Sequence, residues 1–464
     1  MADYLQPESL LTLLMGEKAA AYITQAGKKK TTYIRLNPLK ANPEDIISIL
    51  EEEGFKLTPL DFYPYAYEVS YEPFPISKGI AYFGGLIYLQ DPSSMLPALV
   101  LNPSSQDTVL DLTAAPGSKT TLLATLMKAE GILVACDSSA KRLRALSFNL
   151  ERWGAINAGW ARLLGEQIGN LFFERFDKVL VDPPCSALGT LSKSPEILRW
   201  WKEGKVIKLA RMQERLLISG LKALKPGGTL VYSTCTLTPH ENEAVIQAVL
   251  ERYPVVLEDI KIPLFFKTRP GLTAFASFKF SPQMQKAVRI YPIENPSEGF
   301  FIAKIKKKES FRPPLQTKPA VAEKWLSKDQ FKELELLSEH FGFNLEVFDN
   351  KAFFANNHIR FATQALAHFP SPIALQKGIS FARPMGQRWR LTTNGITLVA
   401  KFITQNRIEL DRTSLKLLIA GHVLPAPEGH QGQQLLVYKN CALGYGWIKN
   451  RSLISQLPSR EVIV

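Results

Sequence analysis

The sequence predicts an α/β protein whose central domain is a doubly wound parallel sheet. The main observation is a regular alternation, between about Ser105 and Tyr253, of short apolar stretches with longer segments whose apolar residues have helical spacing. In chain order these segments are DTVLDL, PGSKTTLLATLMKA, GILVACD, SSAKRLRALSFNLERWG, FDKVLVD, KVIKLARMQERLLISGLKAL, GTLVYS and ENEAVIQAVLERY. Because parallel strands are joined through helices, this alternation is typical of a doubly wound sheet.

Segments on either side divide the chain further. Before the sheet, helical patterns in PESLLTLLMGEKAAAYITQA and NPEDIISILEEEG flank the predicted strand TTYIRLN. After it, AVRIYP and GFFIAKIKK predict an antiparallel pair at one edge, and KKKESFRPPLQTKPA has the composition of a linker. We therefore predict an N-terminal α+β domain over residues 1–75, a sheet domain over 76–308, a linker over 309–320 and a C-terminal α+β region over 321–464.

Composition and cysteine usage narrow the class of protein. A chain of 464 residues with 46% hydrophobic content supports two or three globular cores. The four cysteines form neither a disulfide framework nor a pair with zinc-site spacing, which fits a reducing compartment. The first residues lack a signal-peptide pattern, and nothing later approaches eighteen uninterrupted apolar residues. We expect a soluble cytoplasmic protein without a membrane segment or a metal.

The charge distribution favours a polyanionic partner. The formal net charge is +13, and residues 351–460 carry fourteen Lys and Arg against three Asp and Glu. Within that region the segment RPMGQRWR, Arg383 to Arg390, mixes arginines with a tryptophan, a combination common in nucleic-acid contacts. Nucleic acid is therefore the favoured partner, and a merely basic surface is the alternative.

The turn after the first strand of the sheet, in LDLTAAPGSKT, has the features of a cofactor site. A short apolar strand opens into small residues and then a helix, which leaves backbone N–H groups facing a ligand. Asp137 ends the second strand twenty residues after Gly117, where a carboxylate accepts hydrogen bonds from ribose hydroxyls in sheets of this topology. The pair predicts an adenosine-containing cofactor. The alternative is an ordinary turn whose Asp137 caps the next helix.

Two cysteines follow strands of the same sheet. VDPPC ends at Cys185 and GTLVYSTC ends at Cys235, so Asp182 and both thiols should meet at the carboxyl edge, where open sheets bind ligands. Cys136 and Cys441 are instead predicted to be small core residues. Two thiols in a cleft indicate a redox pair or covalent catalysis. The reducing compartment and the absence of Cys-x-x-Cys favour covalent catalysis.

Taken together, these motifs resemble a known family. DLTAAPGSKT, DPPCSALGT and YSTCTLTPHENE, preceded by QDPSSMLPALVL, are similar to the motifs of RNA cytosine-5 methyltransferases of the Sun/Fmu type. The resemblance covers the chain from about Tyr4 to Lys306. ALGYGWIKN and LPSR, between Ala442 and Arg460, further resemble the PUA-like tail of the bacterial branch that modifies 16S ribosomal RNA. The resemblance implies a Rossmann-like methyltransferase sheet.

The resemblance also implies a cofactor and a set of site residues. The cofactor is S-adenosylmethionine, and the residues that hold it are Thr113, Ala114, Ala115, Pro116, Gly117, Ser118, Lys119, Asp137, Arg142 and Asp182. Cys235 adds to C6 of cytosine as a thiolate, Cys185 assists its release, Asp182 bonds the ring edge near N3, and Lys119 helps to position these groups. The partner implied is 16S ribosomal RNA in the small ribosomal subunit, bound by a monomer through its N-terminal and C-terminal regions.

Some positions depart from the family pattern. Ser186 to Thr190 reads SALGT where SGEGT is usual, Ser192 replaces an Arg, and Ile293 replaces a His. No acidic residue lies between Trp160 and Glu166, where one usually contacts the adenine. Three other functions stay open: a transfer RNA cytosine-C5 methyltransferase, a noncatalytic ribosome-assembly factor that binds RNA, and a methyltransferase that acts on exocyclic amines of nucleic acid or on protein without a thiol nucleophile.

Overall fold

The computed structural model describes residues 6–28, 31–314, 319–348, 351–355, 358–386 and 388–457. Its first elements are helices α1 (Pro7–Met15) and α2 (Lys18–Thr24), which divide the single helical stretch that the sequence predicts. Gly16 separates the two helices with φ 61° and ψ −139°, a conformation that is accessible mainly to glycine. Leu10, Leu11 and Tyr22 bury these helices against the central sheet.

An antiparallel sheet forms the N-terminal part. Its elements in chain order are β1 (Thr32–Leu36), α3 (Pro43–Glu52), β2 (Lys56–Pro59), β3 (Ala66–Tyr71), α4 (Ile80–Phe83) and β4 (Ile87–Leu89). The strand order is β2-β3-β1-β4. Helix α3 begins with a proline and has Glu44 and Asp45 in its first turn, as predicted for a helix start. Because β4 belongs to this sheet, the predicted boundary at residue 75 falls between two of its strands.

The central domain contains the predicted alternation of strands and helices. Its elements up to residue 250 are α5 (Pro92–Leu101), β5 (Thr108–Asp111), α6 (Ser118–Leu126), β6 (Ile132–Asp137), α7 (Ala140–Trp153), β7 (Ala158–Arg162), α8 (Gly165–Leu171), β8 (Phe176–Val181), α9 (Ile197–Trp200), α10 (Glu203–Ala223), β9 (Leu224–Thr234) and α11 (Glu243–Leu250). The strands β9-β8-β5-β6-β7 are neighbours in that order and parallel. The doubly wound, Rossmann-like sheet is therefore confirmed, with its topological switch point between β5 and β8.

Antiparallel strands extend one edge of this sheet. The elements that follow α11 are β10 (Val255–Glu258), β11 (Thr268–Pro270), β12 (Ala274–Phe275), β13 (Phe278–Lys279), β14 (Val288–Ile290) and β15 (Phe300–Lys307). The predicted edge pair is present, because β14 and β15 are antiparallel with Arg289 opposite Phe301. Strand β15 then pairs with β9, which places the chain around Gly299 beside the end of β9.

The C-terminal region contains two smaller sheets. Its elements are α12 (Lys328–Phe341), β16 (Lys351–Ala355), β17 (Ile359–Thr363), α13 (Gln364–Ala367), β18 (Gln376–Lys377), β19 (Ile379–Met385), β20 (Arg388–Leu391), α14 (Thr393–Val399), β21 (Arg407–Glu409), α15 (Arg412–Ile419), β22 (Leu424–Pro425), β23 (Gly432–Tyr438), β24 (Cys441–Lys449) and β25 (Ser452–Ser455). The sheet orders are β16-β17-β19-β20 and β21-β23-β24-β25-β22. The end of the predicted PUA-like tail, residues 458–464, lies outside the described residues, and that resemblance stays a prediction.

The C-terminal region packs on both other parts of the chain. Strand β18 pairs with β7 and so extends the far edge of the central sheet. Arg360 reaches Glu151 of α7 at 3.4 Å, and Lys439 pairs with Glu52 of α3 at 2.5 Å. One hydrophobic core combines residues of the N-terminal sheet, such as Ile34, with residues of the C-terminal sheet, such as Leu436. None of the helices among the described residues has the length and hydropathy needed to span a bilayer.

Candidate active site

The predicted site residues meet at the carboxyl edge of the central sheet. Thr113 follows β5, Asp137 ends β6, Asp182 follows β8 and Cys235 follows β9. These four strands are neighbours around the switch point, where the helices that follow β5 and β8 lie on opposite faces of the sheet. A crevice therefore opens between the turn that starts α6 and the loops that carry the two thiols.

The turn from Thr113 to Lys119 is held by bonds within the protein. The N–H group of Ala114 donates to the Cys136 carbonyl at 2.8 Å, and that of Ala115 donates to Asp137 Oδ2 at 3.3 Å. The prediction that those N–H groups face a ligand is wrong for Ala114 and Ala115, because both already have acceptors within the protein. Ser118 and Lys119 instead begin α6, so their N–H groups have no intrahelical acceptor and point out of the helix.

Gly117 has a steric reason to be glycine. Its φ is 110°, and a Cβ there would come within 3.0 Å of Leu146 Cδ1 on α7. The neighbouring Pro116 has no N–H group, and its carbonyl accepts from Asn149 Nδ2 at 2.9 Å. The turn is thus seated closely on α7, and that fixes where α6 begins.

Asp137 lies at the end of β6 with 4% of its side chain exposed. Its carboxylate accepts from the N–H groups of Ala115 and Ser139, and Arg142 Nη1 lies 3.6 Å from Oδ2. A carboxylate has about four acceptor sites, so two sites remain for hydroxyl groups of a ligand. Arg142 also donates to the Ala115 carbonyl. The helix after β6 is capped by Ser139, so Asp137 is not its capping residue.

Asp182 is the centre of a small polar cluster. Lys119 Nζ donates to Oδ2 at 2.6 Å, Ser233 Oγ donates to Oδ1 at 2.7 Å, and the Asp182 N–H group donates to Thr113 Oγ1 at 3.2 Å. Burial lowers the pKa of Lys119, but Asp182, Cys235 and Asp111 together raise it by more, so the net shift is upward and the amine keeps its proton. Sequence reasoning missed Ser233. Its signal was its place near the carboxyl end of the strand that leads to Cys235, since the ends of parallel strands meet at one edge of the sheet.

The two predicted thiols are in contact. Cys185 Sγ and Cys235 Sγ are 3.3 Å apart, and both side chains are partly buried. The hydrogen bond to the Cys235 sulfur and burial together raise the pKa of Cys185, which therefore stays a thiol at neutral pH. Cys136 and Cys441 are fully buried at 0% exposure, in agreement with their prediction as core residues.

The loop STCTLTPHENE is polar in sequence but largely buried. Thr236, Glu241 and Asn242 are 0% exposed. Thr234 Oγ1 donates to Asn242 Oδ1 at 2.6 Å, and Asn242 Nδ2 donates to the Thr236 carbonyl at 3.0 Å. These internal partners explain the burial, because polar groups leave water only when they are hydrogen-bonded.

Two carboxylates of this loop have partners that sequence reasoning missed. Glu241 accepts from Ser186 and from Gln213, and Glu243 forms a buried ion pair with Arg289 of β14. Gln213 lies in the middle of α10, and neither it nor Arg289 belongs to a motif. No signal in a single sequence could have found them.

The fold and the site define a class of enzyme, a Rossmann-like S-adenosylmethionine-dependent methyltransferase with two thiols at its centre. The family model for 16S rRNA methyltransferase RsmB/F matches residues 98–306. Ribosomal RNA small subunit methyltransferase F of Vibrio parahaemolyticus is 33% identical over 93% of this chain and 91% of its own. The protein belongs to the RsmB/F family of 16S rRNA methyltransferases.

Two further relatives cover less of the chain. The tRNA (cytosine(49)-C(5))-methyltransferase of Pyrococcus abyssi is 41% identical over 59% of this chain and 87% of its own. The crystal structure of NSun6 from Pyrococcus horikoshii with SFG matches 66% of this chain and 98% of its own, with 25% identity and a TM-score of 0.58.

The described residues fit S-adenosylmethionine, the cofactor of this enzyme. Asp137 has free acceptor sites for hydroxyl groups, and the first turn of α6 has N–H donors without intrahelical acceptors. Where an acidic residue usually contacts the adenine, the chain has Leu163 and Leu164, and Leu164 is 55% exposed at the end of β7. An apolar surface is thus available there for a ring face.

Proposed function

We propose that this protein methylates C5 of a cytosine in 16S ribosomal RNA through a covalent adduct between Cys235 and C6. The observation that supports this most is the contact of two thiols at 3.3 Å beside Asp182, at the switch point of the sheet. A methyltransferase that acts on an amine needs no nucleophile, and a noncatalytic RNA-binding protein needs neither thiol. The paired cysteines therefore favour cytosine-C5 chemistry over both alternatives.

Cys235 prepares the base for reaction. C5 of cytosine is a weak nucleophile, and addition of a thiolate to C6 places electron density on it. Asp182, held on both oxygens by Lys119 and Ser233, presents a fixed polar group to the ring edge near N3. S-adenosylmethionine, when bound by the residues around Asp137 and the α6 turn, supplies an electrophilic methyl group.

Cys185 assists the release of Cys235. Solvent water takes the C5 proton, the electron pair of the C5–H bond re-forms the C5–C6 double bond, and Cys235 leaves C6 as a thiolate. Cys185 keeps its proton at neutral pH, because its pKa is raised by the hydrogen bond to Cys235 and by burial. Its S–H group can therefore donate to the departing sulfur, which makes that sulfur a better leaving group.

The RNA is held in part by an arginine hairpin, defined as β19 and β20 with their turn. Arg383 lies opposite Arg390, and Arg388 lies opposite Met385. Like charges facing each other across strands cost stability. Within the described part of the chain, none of these arginines forms an ion pair with a carboxylate. Phosphate groups would compensate the charge, and the half-buried Trp389 offers a stacking surface.

The small ribosomal subunit is the proposed substrate in preference to transfer RNA. The ribosomal RNA relative resembles this chain over 93% of its length, including the C-terminal region. The transfer RNA relative resembles it over 59%. A whole-chain resemblance supports a shared substrate more strongly, because the C-terminal region carries much of the positive charge.

The test is methyl transfer from tritiated S-adenosylmethionine to small subunits of a strain that lacks the gene. Naked 16S RNA and transfer RNA from the same strain are the competing substrates. Wild type, Cys235→Ala and Cys185→Ala are compared, with Cys441→Ala as the control because it removes a buried thiol far from the site in sequence and fold. We expect label in 5-methylcytosine, full activity of the control, none in Cys235→Ala, and a trapped protein–RNA adduct in Cys185→Ala.

Other outcomes identify the alternatives. Label in Cys235→Ala, or on an exocyclic amine, would refute the covalent mechanism. Label mainly in transfer RNA would identify transfer RNA as the substrate and leave the covalent mechanism unchanged. RNA binding without label in any preparation would favour an assembly factor.

A further inference from the structure

Cys185 is held on both sides by one buried polar cluster. The residue before it, Pro184, accepts at its carbonyl from Gln213 Nε2 at 2.9 Å. The residue after it, Ser186, donates its N–H group to Glu241 Oε1 at 2.9 Å, and its hydroxyl also donates to Glu241. Gln213 Nε2 completes the chain of contacts by donating to Glu241 Oε1 at 2.8 Å.

This cluster joins the two loops that carry the thiols. Both loops lie beyond the last paired residues of β8 and β9, and the N–H group of Gly189 gives them a backbone contact by donating to the Cys235 carbonyl at 2.9 Å. Glu241 belongs to the Cys235 loop, whereas Ser186 belongs to the Cys185 loop. The Glu241 carboxylate therefore links the loop that contains Cys235 to the loop that contains Cys185. Ser186, Gln213 and Glu241 are 1%, 0% and 0% exposed, so water does not compete for these bonds.

Gln213 is poorly suited to a purely stabilising role. Its Oε1 atom is buried and has no hydrogen-bond partner in the described residues, which costs free energy. The orientation of the amide follows from its two acceptors, Pro184 O and Glu241 Oε1, which both require the NH2 group. Gln213 thus gains two hydrogen bonds through its NH2 group and loses one at Oε1, a compromise that is expected where geometry is needed for function.

We infer that Ser186, Gln213 and Glu241 form a clamp that sets the position of the Cys185 sulfur against Cys235, with Gln213 and Glu241 as positioning residues. The expectation that the clamp speeds release of the RNA adduct rests on the proposed function. The expectation that the clamp sets the distance between the two thiols is independent of it.

The geometric test needs no RNA. Dibromobimane becomes strongly fluorescent when each of its bromomethyl groups has lost bromide to a thiolate, so it reports two thiols that are close together. Wild type is compared with Gln213→Leu and Ser186→Ala, and Cys185→Ser gives the background. The matched control is Ser219→Ala on the same helix α10, which loses buried hydrogen bonds to Gly165 and Gly169 away from the thiols.

We expect cross-linking to be about tenfold slower in Gln213→Leu and Ser186→Ala, since a misplacement of about 1 Å can cost about a hundredfold in such reactions. The control should match wild type, and the Kd for S-adenosylmethionine should be unchanged in all variants. With RNA, the two clamp variants should accumulate the covalent adduct that Cys185→Ala accumulates, at unchanged KM for RNA.

If Gln213→Leu and Ser186→Ala cross-link at the wild-type rate, the clamp proposal is wrong. It is also wrong if cross-linking in Ser219→Ala is slowed as much as in these two variants. If Gln213→Leu fails to bind S-adenosylmethionine and is unfolded, Ser186→Ala decides, because it removes a single hydroxyl. Slow cross-linking in the clamp variants together with no methylation of RNA by wild type would leave the clamp standing and refute the proposed function.

Discussion

The buried ion pair between Arg289 and Glu243 is the strongest single perturbation that the structure offers beneath the Cys235 loop. The side chains are 1% and 0% exposed. Arg289 Nε donates to Glu243 Oε1 at 2.6 Å, Nη2 donates to Oε2 at 2.5 Å, and Nη1 donates to the Leu237 carbonyl at 2.9 Å. Burial lowers the pKa of Arg289, but Glu243 and Tyr291 together raise it by more, so the net shift is upward and the guanidinium stays charged.

Among the described residues, Arg289→Met leaves Glu243 with the Leu272 N–H group as its one donor, at 3.0 Å. Removing one partner of a buried ion pair costs about 3–5 kcal/mol, because the remaining charge has neither water nor a counter-ion. We therefore expect the free energy of unfolding of the central domain to fall by about 3–5 kcal/mol. The double variant Arg289→Met/Glu243→Gln removes that charge and should recover about half of the loss or more.

Urea unfolding measures this difference, with loss of S-adenosylmethionine binding used to identify the transition of the central domain. Lys18→Met is the control, since it breaks an ion pair with Glu294 in which the lysine is 55% exposed and Glu294 keeps Arg269 as a partner. Exposed pairs contribute about 0–1 kcal/mol. A loss below about 1 kcal/mol in Arg289→Met, equal to the control, would refute the argument that this pair is shielded from water.

Two further predictions concern the thiols and the RNA surface. Cys235→Ala removes the largest cause of the raised pKa of Cys185, which is the hydrogen bond to Cys235. Alkylation of Cys185 by iodoacetamide, followed by mass spectrometry, should therefore have its pH midpoint at lower pH in this variant. A midpoint that stays or rises would show that the hydrogen bond to Cys235 does not raise the pKa of Cys185. Replacing Arg383 and Arg388 by Gln should reduce the salt slope of log affinity for single-stranded RNA by about 1.4, about 0.7 for each contact. Lys416, an exposed lysine on α15, gives the control variant Lys416→Gln. An equal reduction of the salt slope in this control would contradict a specific contact between RNA and the arginine hairpin.

The central sheet could be predicted because its strands and helices are local patterns. Each strand is a short apolar run and each helix has apolar spacing of 3.6 residues, so the alternation is visible without any long-range information. The strand order, with its switch point between β5 and β8, was not predicted, because right-handed helical crossovers are compatible with more than one order. By contrast, β4 was not predicted as part of the N-terminal sheet, because its pairing with β1 joins residues about fifty positions apart.

The candidate site was predictable only where its residues follow strands. Asp137, Asp182 and Cys235 stand at strand ends, and the carboxyl edge of a parallel sheet brings strand ends together. Gln213 lies 28 residues from Glu241, and Arg289 lies 46 residues from Glu243, in elements with ordinary core functions. Their role depends on which side chains meet after folding, and this information is absent from spacing and composition.

Arg35 of β1 shows how the N-terminal sheet contacts the candidate site. Its guanidinium donates to Gln90 Oε1 at 3.1 Å, to Thr121 Oγ1 at 2.8 Å and to the Ser118 carbonyl at 3.2 Å, and it lies 4.4 Å from the centre of the Trp153 ring. Burial lowers the pKa of Arg35 to about 10, yet it stays charged near neutral pH. The residue thus joins the QDPSSM segment and the first turn of α6 to the N-terminal sheet. Its bond to the Ser118 carbonyl therefore ties the N-terminal sheet to the turn that we propose to hold the cofactor.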